Sequence, residues 1–464
     1  MTTTLDEDLG ASPPVEPTPV ASARRRLDVP IVVILVVAGV LRFGFGVAAM
    51  DGPVPETWQT SGDQYSYWYY GNEIARGNGY VSYITHEATS YYPIGYPATL
   101  AAMFWIQNHT PIPDHQPTAV ALLNAAMGTA SVFFIWLIAR AALGRRLALV
   151  ATVIAALYPN LIFNVPTYTL ETAFIFWATA ALAVLASHDW STGPPSRNRL
   201  LAFGTVLGLS VLTRPFSLVF VVGLALALLV IKAGWRRVGT SMAWTFVPVV
   251  LLLTPWTIRN LSALDSFVPI STNLGDTACL DRSMDADGGF RWADHEGCAA
   301  PDLPEAERSR KNLSMAISFV FEHPTKELEL MGKRFVRMLE HDHSGLQEAE
   351  SVNFKVLDPG PRHIAVTVAD WWFWLTMAAS AVGLVGLLRR GPRRAERVLV
   401  VTAFIGLLLI PVELWGNVRF HIPVLPFTAI AAAAAPLALR RSKGVVPPLT
   451  GNTVPDAALA RSRP

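Results

Sequence analysis

Charge is scarce in this chain of 464 residues. Asp, Glu, Lys and Arg make up 16% of the sequence, whereas hydrophobic residues make up 52%. Charged residues supply about a quarter of an average soluble protein, so this chain has too little charge to cover one soluble globule. The sequence also lacks P-loop, HExxH, GxSxG and CxxC patterns. Nucleotide hydrolysis, zincin chemistry and serine-hydrolase chemistry therefore have no support, and no nucleic-acid partner is expected.

Cysteine is equally scarce. The two cysteines, Cys279 and Cys298, both lie in the longest polar stretch. They could pair if that stretch faces an oxidising compartment. Two unpaired thiols are the alternative, because sequence separation does not establish the geometry that a disulfide requires.

Long apolar runs, by contrast, recur along the whole chain. A membrane-spanning helix needs about 20 mostly apolar residues, and a single anchor is excluded by the repetition. The sequence predicts an all-α polytopic membrane protein with a transmembrane domain over residues 29–440. About ten transmembrane helices are predicted, at 29–50, 117–140, 147–166, 169–187, 199–213, 215–232, 239–257, 370–388, 396–412 and 421–439.

Lys and Arg cluster in every second connection between these predicted spans. Basic loops favour the cytoplasmic side, so the pattern predicts a multi-pass protein of the cell membrane with both termini in the cytoplasm. The tails are residues 1–28 and 441–464, and the first is predicted to be disordered. A cleaved signal peptide is the alternative for the first apolar run, but that run is longer than a signal peptide requires. The basic clusters lie at 24–26, 145–146, 197–199, 232–237, 389–394 and 440–443.

Two long polar segments connect spans on the opposite, outer side. We call residues 51–116 the first loop segment and residues 258–369 the second loop segment. Each contains a shorter apolar stretch, at 94–107 and 319–339, that suits a helix lying along the membrane interface. In the second stretch, basic side chains including Arg334 are expected to point towards lipid headgroups.

Two carboxylates occur in apolar surroundings. Asp63 lies in the tyrosine-rich stretch SGDQYSYWYY, where a carboxylate can serve as a base. Its alternative role is to cap a helix from Gln64 onwards, since Asp is a favoured N-cap residue. Glu171, in TYTLETAFIF, lies at the outer mouth of a span, where ionisable residues are costly and mark functional sites. A favourable interaction with the helix dipole is the alternative for Glu171.

Three arginines are predicted at the outer ends of spans, the side that basic residues normally avoid. They are Arg214, Arg259 and Arg419. Guanidinium groups form bidentate bonds with phosphate, so an anionic lipid phosphate would explain them. Snorkelling of each side chain to outer headgroups is the alternative.

The second loop segment contains one candidate metal-binding pair. His341 and His343 flank Asp342, and alternate residues on a strand or turn can share a metal ion. An ordinary polar loop is the alternative. A divalent metal is thus a candidate cofactor, with none established by the sequence.

Six short motifs, taken in order, resemble the GT-C superfamily of glycosyltransferases. Within it, the similarity is to the branch that contains protein O-mannosyltransferases and the lipid A aminoarabinose transferase. The resemblance extends from the first predicted span to the last. Its motifs lie at 62–80, 92–97, 170–172, 213–215, 255–260 and 419–423.

The resemblance implies a polyprenyl-phosphate-linked sugar as donor and an envelope glycan, lipid or protein as acceptor, joined on the outer side of the membrane. The enzyme would be a hexosyl- or pentosyltransferase. Asp63 corresponds to the first-loop acid that acts as the base or orients the acceptor, and Glu171 to the second acid. Arg259 and Arg419 would face the donor phosphate, with Arg214 a weaker candidate. An inverting single displacement follows if no covalent intermediate forms.

The sequence departs from these relatives at Gln64, where they often carry a second acid. This departure argues against a metal-assisted role for the loop. The large C-terminal outer domain of some relatives is also missing, so we expect the two loop segments to recognise the acceptor. A transporter or flippase of a lipid-linked substrate is the alternative function, although the inverted repeats typical of transporters are not evident. An inactive scaffold is a third possibility, against which Asp63 and Glu171 argue.

Overall fold

The structure is a computed structural model that describes residues 29–49, 62–110, 115–290, 303–352, 356–389 and 391–439. Over these ranges the backbone is helical or irregular, with one isolated β-bridge between Val81 and Ala88. The predicted tails at 1–28 and 441–464 lie outside the described residues, as does Cys298. Its predicted partner Cys279 is buried and disulfide-bonded, and the pairing of the two cysteines stays a prediction.

Eighteen α-helices occur within the described ranges. The first nine are α1 (Val29–Ala49), α2 (Asp63–Ala75), α3 (Gly95–His109), α4 (Gln116–Leu143), α5 (Arg145–Ala156), α6 (Pro159–Phe163), α7 (Glu171–Ala186), α8 (Arg197–Thr213) and α9 (Val219–Val230). The others are α10 (Trp235–Leu264), α11 (Asn273–Cys279), α12 (Glu305–Glu322), α13 (Pro324–Met338), α14 (Ser344–Val352), α15 (Pro359–Leu388), α16 (Arg394–Leu409), α17 (Leu425–Ala433) and α18 (Ala435–Leu439). Short 3-10 helices occupy Trp190–Thr192, Pro215–Leu218, Ile410–Glu413 and Val418–Val424.

Six helical segments of the described chain are long and apolar enough to cross a membrane. They are α1, α4, α10, α15, Arg394–Glu413 and Val418–Leu439. Two shorter apolar segments, α7 and Pro215–Val230, follow the same hydropathy pattern. The prediction of an all-α polytopic protein is confirmed, whereas the count of ten spans stays a prediction.

The predicted span at 147–166 is interrupted. Helix α5 ends at Ala156 and α6 begins at Pro159, because proline cannot continue the hydrogen-bonding pattern of the preceding helix. The freed carbonyls need donors. Fully buried Arg42 of α1 donates to the Ala156 and Ala155 carbonyl oxygens, at 2.9 and 3.1 Å. An arginine within the helix bundle therefore fastens α1 to the break.

Small residues bring several long helices into backbone contact. A Cβ atom at Gly204 of α8 would overlap the Thr245 carbonyl of α10. Likewise, a Cβ atom at Gly383 of α15 would overlap the Ala431 carbonyl of α17. Such close approach is a common means of association between membrane helices, which gain little from hydrophobic burial against each other.

The basic connections gather at one end of the bundle. Arg397, at the start of α16, donates to the Ala142 carbonyl near the end of α4. The neighbouring Glu396 interacts electrostatically with Asp189 in the connection after α7. Arg199, at the start of α8, donates to the Val184 carbonyl. The common side of these loops thus agrees with the predicted alternation, while their orientation towards the cytoplasm stays a prediction.

The loop segments differ in detail from their predicted organisation. Helix α3 occupies the interfacial stretch expected at 94–107. The helix expected at 319–339 is instead two helices, because His323 leaves helical geometry before Pro324 starts α13. Arg334 does not reach headgroups: it is fully buried and pairs with Asp281 and Glu327 at 2.8 and 2.7 Å. Helices α10 and α15 also extend into the second loop segment from both ends.

Candidate active site

Asp63 opens α2 without capping it. The N-cap residue is Gly62, and no side chain there bonds to the helix start. The Asp63 carboxylate turns instead to other parts of the chain: Oδ1 accepts a hydrogen bond from the Tyr92 hydroxyl at 2.6 Å, and Oδ2 pairs with Arg419. The capping alternative is therefore not supported by the geometry.

Arg419 lies at the centre of the site. It is the second residue of the 3-10 helix Val418–Val424, whose N-cap residue Asn417 accepts a side-chain hydrogen bond from the Arg419 amide at 2.8 Å. Besides Asp63, its guanidinium group pairs with Glu348 at 3.0 Å and lies 3.9 Å from a Glu171 oxygen. Three carboxylates from distant parts of the sequence thus converge on one guanidinium group.

Arg214 approaches the same carboxylates from another helix. It follows α8 and precedes Pro215, and its extended backbone fits the restriction that proline places on the preceding residue. Arg214 Nη2 pairs with Glu171 Oε1 at 3.2 Å, and the guanidinium group lies 5.3 Å from the centre of the Phe216 ring. Arg214 Nη1 and Glu171 Oε2 are buried and have no hydrogen-bond partner among the described residues. The site therefore retains a buried donor and a buried acceptor without partners.

We call these five side chains the carboxylate–arginine cluster: Asp63, Glu171, Glu348, Arg214 and Arg419. With all groups ionised, three negative charges face two positive ones. Burial alone would raise the pKa of Asp63, but Arg419 and the Tyr92 hydroxyl outweigh it and hold this pKa below its usual range. Asp63 is therefore ionised at neutral pH and a weak proton acceptor while Arg419 is bound to it.

Glu348 and Gln64 join the two loop segments beside the cluster. The Gln64 side-chain amide donates to the Glu348 carbonyl at 2.9 Å and to its carboxylate at 2.8 Å. Gln64 Oε1 accepts from the Tyr168 amide at 2.8 Å. Sequence reasoning did not identify Glu348, because an acid in the polar helix α14 carries no distinguishing signal. The residue that replaces an acid of the relatives thus acts as a brace between α2 and α14.

Arg259 has other partners among the described residues. Its guanidinium group donates to the Thr89 and Tyr80 carbonyl oxygens, each at 2.6 Å, and lies 5.1 Å from the centre of the Trp256 ring. It thereby fixes the fold of the first loop segment after α2. A role at the donor phosphate stays a prediction for Arg259.

A buried histidine and aspartate anchor the turn that carries Arg419. His421 Nε2 lies 2.7 Å from Asp342 Oδ1, and Nδ1 lies 2.6 Å from the Met338 carbonyl oxygen. Asn160 also donates to Asp342. Because a carbonyl only accepts, Nδ1 donates to the Met338 carbonyl oxygen, which leaves Nε2 facing Oδ1 of Asp342. Burial raises the pKa of Asp342 despite these partners.

The predicted metal ligands His341 and His343 are brought together. Their rings stack with centroids 4.0 Å apart, and Asp370 of α15 joins them, with all ligand atoms within 4.8 Å of one another. Asp370 was missed because it lies 27 residues from His343. The three side chains could hold a divalent metal ion.

Comparisons with known proteins agree with this arrangement of helices. Residues 98–258, about a third of the chain, match the family described as dolichyl-phosphate-mannose-protein mannosyltransferase. The apo oligosaccharyltransferase of Archaeoglobus fulgidus superposes with a TM-score of 0.51 and 14% identity, over 88% of this chain and 49% of that one. The chain has a GT-C fold. The predicted resemblance to the GT-C superfamily is thereby confirmed.

Two further solved structures have TM-scores below 0.5. AglB of A. fulgidus, bound to an inhibitory peptide and a dolichol-phosphate, has a TM-score of 0.49 and 15% identity, over 87% of this chain and 50% of that one. ArnT of Cupriavidus metallidurans, bound to undecaprenyl phosphate, has a TM-score of 0.40 and 16% identity, over 86% and 77%. The chain spans about half the length of the oligosaccharyltransferases. No curated protein matches the sequence.

The family match covers only part of the candidate site. The matched residues include Glu171 and Arg214, whereas Asp63, Arg259 and Arg419 lie outside them. The grouping of Asp63 and Arg419 with the matched pair thus depends on tertiary structure.

Proposed function

We propose that the protein is a glycosyltransferase that moves a sugar from a polyprenyl-phosphate donor to an envelope glycan, lipid or protein at the outer face of the cell membrane. The observation that carries this proposal is the carboxylate–arginine cluster. It pairs a first-loop carboxylate, Asp63, with Arg419, and a second carboxylate, Glu171, with Arg214, both arginines lying at the ends of apolar helices. A base and phosphate-binding cations are the groups that displacement of a lipid phosphate requires.

Arg214 and Arg419 would bind the donor phosphate. Arg214 Nη1 is a buried donor with no hydrogen-bond partner among the described residues, and an unpaired buried donor is costly until a ligand accepts from it. Arg419 could turn from its carboxylates to the phosphate, with Glu171 keeping both guanidinium groups in position. The description of the family matched over 98–258 names a lipid-phosphate mannose donor, which supports this substrate class.

Asp63 would accept the proton of the attacking group. The acceptor hydroxyl forms a bond to the anomeric carbon, the bond from that carbon to the phosphate oxygen breaks, and the proton passes to Asp63. The polyprenyl phosphate leaves with its charge stabilised by Arg214 and Arg419. When the donor phosphate draws Arg419 away from Asp63, the carboxylate loses its counter-ion and its pKa rises. Donor binding would thereby activate the base, and one displacement inverts the anomeric centre.

The test is a transfer assay with the purified full chain in lipid nanodiscs. Radiolabelled polyprenyl-phosphate mannose, glucose, arabinose and N-acetylglucosamine are each incubated with envelope membranes as acceptor. We expect transfer from one donor, reduced 10²- to 10⁴-fold in Asp63→Asn because a general base contributes about that factor. The exposed Asp265→Asn is the matched control and should retain full activity.

Transport is the competing outcome of the same experiment. The protein would be a transporter if it moves lipid-linked sugar across vesicles while no donor yields transfer, and this result would overturn the proposal. Orientation is tested separately with a protease-cleavable tag inserted after Asp265. Protection of that tag from external protease in intact cells would contradict the outer placement.

A further inference from the structure

We propose that His341, His343 and Asp370 form a binding site for a divalent transition metal, with Zn²⁺ the ion that fits best. The site would clamp the turn after α13 to the start of the apolar part of α15. It lies outside the carboxylate–arginine cluster and goes beyond the proposed sugar transfer. Two imidazole nitrogens and one carboxylate oxygen converge there within 4.8 Å of one another.

The distances fit a metal after a small contraction. His343 Nδ1 lies 3.0 and 3.1 Å from the two Asp370 oxygens. Ligands about 2.1 Å from a tetrahedral zinc ion lie about 3.4 Å from each other, so the remaining ligand must move inward by at most about 1.4 Å. Two histidines and a carboxylate with one open position are a common zinc environment, and the fourth ligand would be water.

His341 provides the second, independent observation. Its Nδ1 is buried and has no hydrogen-bond partner among the described residues. A buried nitrogen without a partner costs about 1–3 kcal/mol, and a metal ion would provide the missing partner. The His341 and His343 rings are nearly parallel, at 18°, so both can turn a nitrogen towards Asp370.

The turn that carries both histidines is already fixed. Between them, Asp342 is fully buried against His421 and Asn160. The Asp342 amide donates to Asp370 Oδ1 at 2.8 Å, which brings the turn to α15 without a metal. A prearranged turn reduces the entropy that metal binding must overcome.

The position on α15 leaves the site open to ions from water. Asp370 directly precedes three tryptophans at 371, 372 and 374, and Trp371 and Trp374 are 56% and 42% exposed. Tryptophans gather at the boundary between membrane and water, so Asp370 lies at headgroup level. From there the metal would stiffen the turn that holds Asp342, and through His421 the turn that carries Arg419.

The experiment uses the purified full chain, stripped with EDTA and titrated with Zn²⁺, Co²⁺ or Mg²⁺. We expect one Zn²⁺ per chain, a visible Co²⁺ absorption band of tetrahedral type, and a rise of at least about 3 °C in apparent melting temperature with Zn²⁺. Mg²⁺ should give no rise.

His341→Ala is the decisive variant, because His341 Nδ1 makes no hydrogen bond whose loss would unfold the protein. We expect its metal-free melting temperature to equal that of wild type, and its response to Zn²⁺ to disappear. Asp370→Asn should also lose the response, whereas His363→Ala, an exposed histidine of the same helix, should retain it.

Two results would overturn the metal site. One is a wild type that binds no Zn²⁺, which would leave the His343–Asp370 contact as an ordinary hydrogen bond. The other is a His341→Ala protein that binds and responds as wild type does. Because sugar transfer is measured separately, failure of the metal site leaves the proposed function standing.

Discussion

Replacing Gln64 by Glu would test the brace between the two loop segments. The Gln64 amide nitrogen lies 2.8 Å from a Glu348 carboxylate oxygen. The substitution exchanges a donor for a second negative charge at nearly constant volume.

The expected cost follows from Coulomb's law. Two unit charges 2.8 Å apart repel by about 6 kcal/mol at an effective dielectric constant of 20, and by about 4 kcal/mol once they relax to 4 Å. Nearby Arg419 offsets part of this repulsion. We therefore expect Gln64→Glu to lose about 3–5 kcal/mol of stability at pH 7.5, or roughly 3–5 °C in apparent melting temperature.

The assay is thermal unfolding in detergent, and the loss of the monodisperse peak is its readout. Gln347→Glu adds the same charge on the exposed face of α14 and should have almost no effect. The double variant Gln64→Glu with Glu348→Gln reverses the donor and the acceptor, so it should recover at least half of the loss. Repulsion raises the pKa of the introduced acid above its unfolded value. The deficit should therefore shrink as the pH falls from 7.5 to 5.

A double variant as unstable as Gln64→Glu alone would refute this reasoning. The same holds for a deficit that does not change with pH, because an uncharged steric effect would then explain the loss. Either result would mean that Gln64 does not face Glu348 as described.

Three further predictions follow from other charged groups. Arg42→Leu removes the side-chain donor of the Ala155 and Ala156 carbonyl oxygens and should lower the apparent melting temperature by a few degrees, at about 1–3 kcal/mol. Arg334→Ala leaves two buried carboxylates without their counter-ion and should cost about 3–5 kcal/mol of stability. Arg337→Ala, which breaks an exposed pair, should cost under about 1 kcal/mol of stability by the same measurement. The pKa of Asp63 is lowered in the free protein, so kcat/KM for sugar transfer should fall less than about twofold from pH 7 to pH 5. The pH at which kcat/KM declines in acid should be lower than the pH at which kcat declines.

The sequence predicted those parts of the site whose chemistry is unusual for its surroundings. Asp63 and Glu171 are acids beside apolar residues, and Arg214 and Arg419 are cations at span ends that are predicted to face outwards, the side that cations avoid. Each is a charged group within or at the end of an apolar segment, so hydropathy alone identifies it. Their convergence agrees with that reasoning, whereas their roles in transfer stay predictions.

The partners in polar surroundings could not be predicted in the same way. Glu348 lies in a polar helix with other acids nearby, and its pairing with Arg419 joins residues 71 positions apart. Asp370 is likewise a candidate metal ligand only because the turn at His343 lies beside it in the folded chain. Hydropathy predicted the six helical segments that are long and apolar enough to cross a membrane, but the break that Pro159 makes after Tyr158 also depends on whether a buried donor such as Arg42 is available. That availability is a property of the folded bundle.

The two partners of the Asp63–Arg419 ion pair are synthesised at different times. Arg419 is made 356 residues after Asp63, and ribosomes add about 5–20 residues per second. The Asp63 carboxylate is therefore synthesised roughly 20–70 s before its counter-ion, Arg419. A nascent chain released just before residue 419 would carry helices α1 to α16 but an incomplete carboxylate–arginine cluster. Completion of the cluster thus depends on the segment Val418–Leu439.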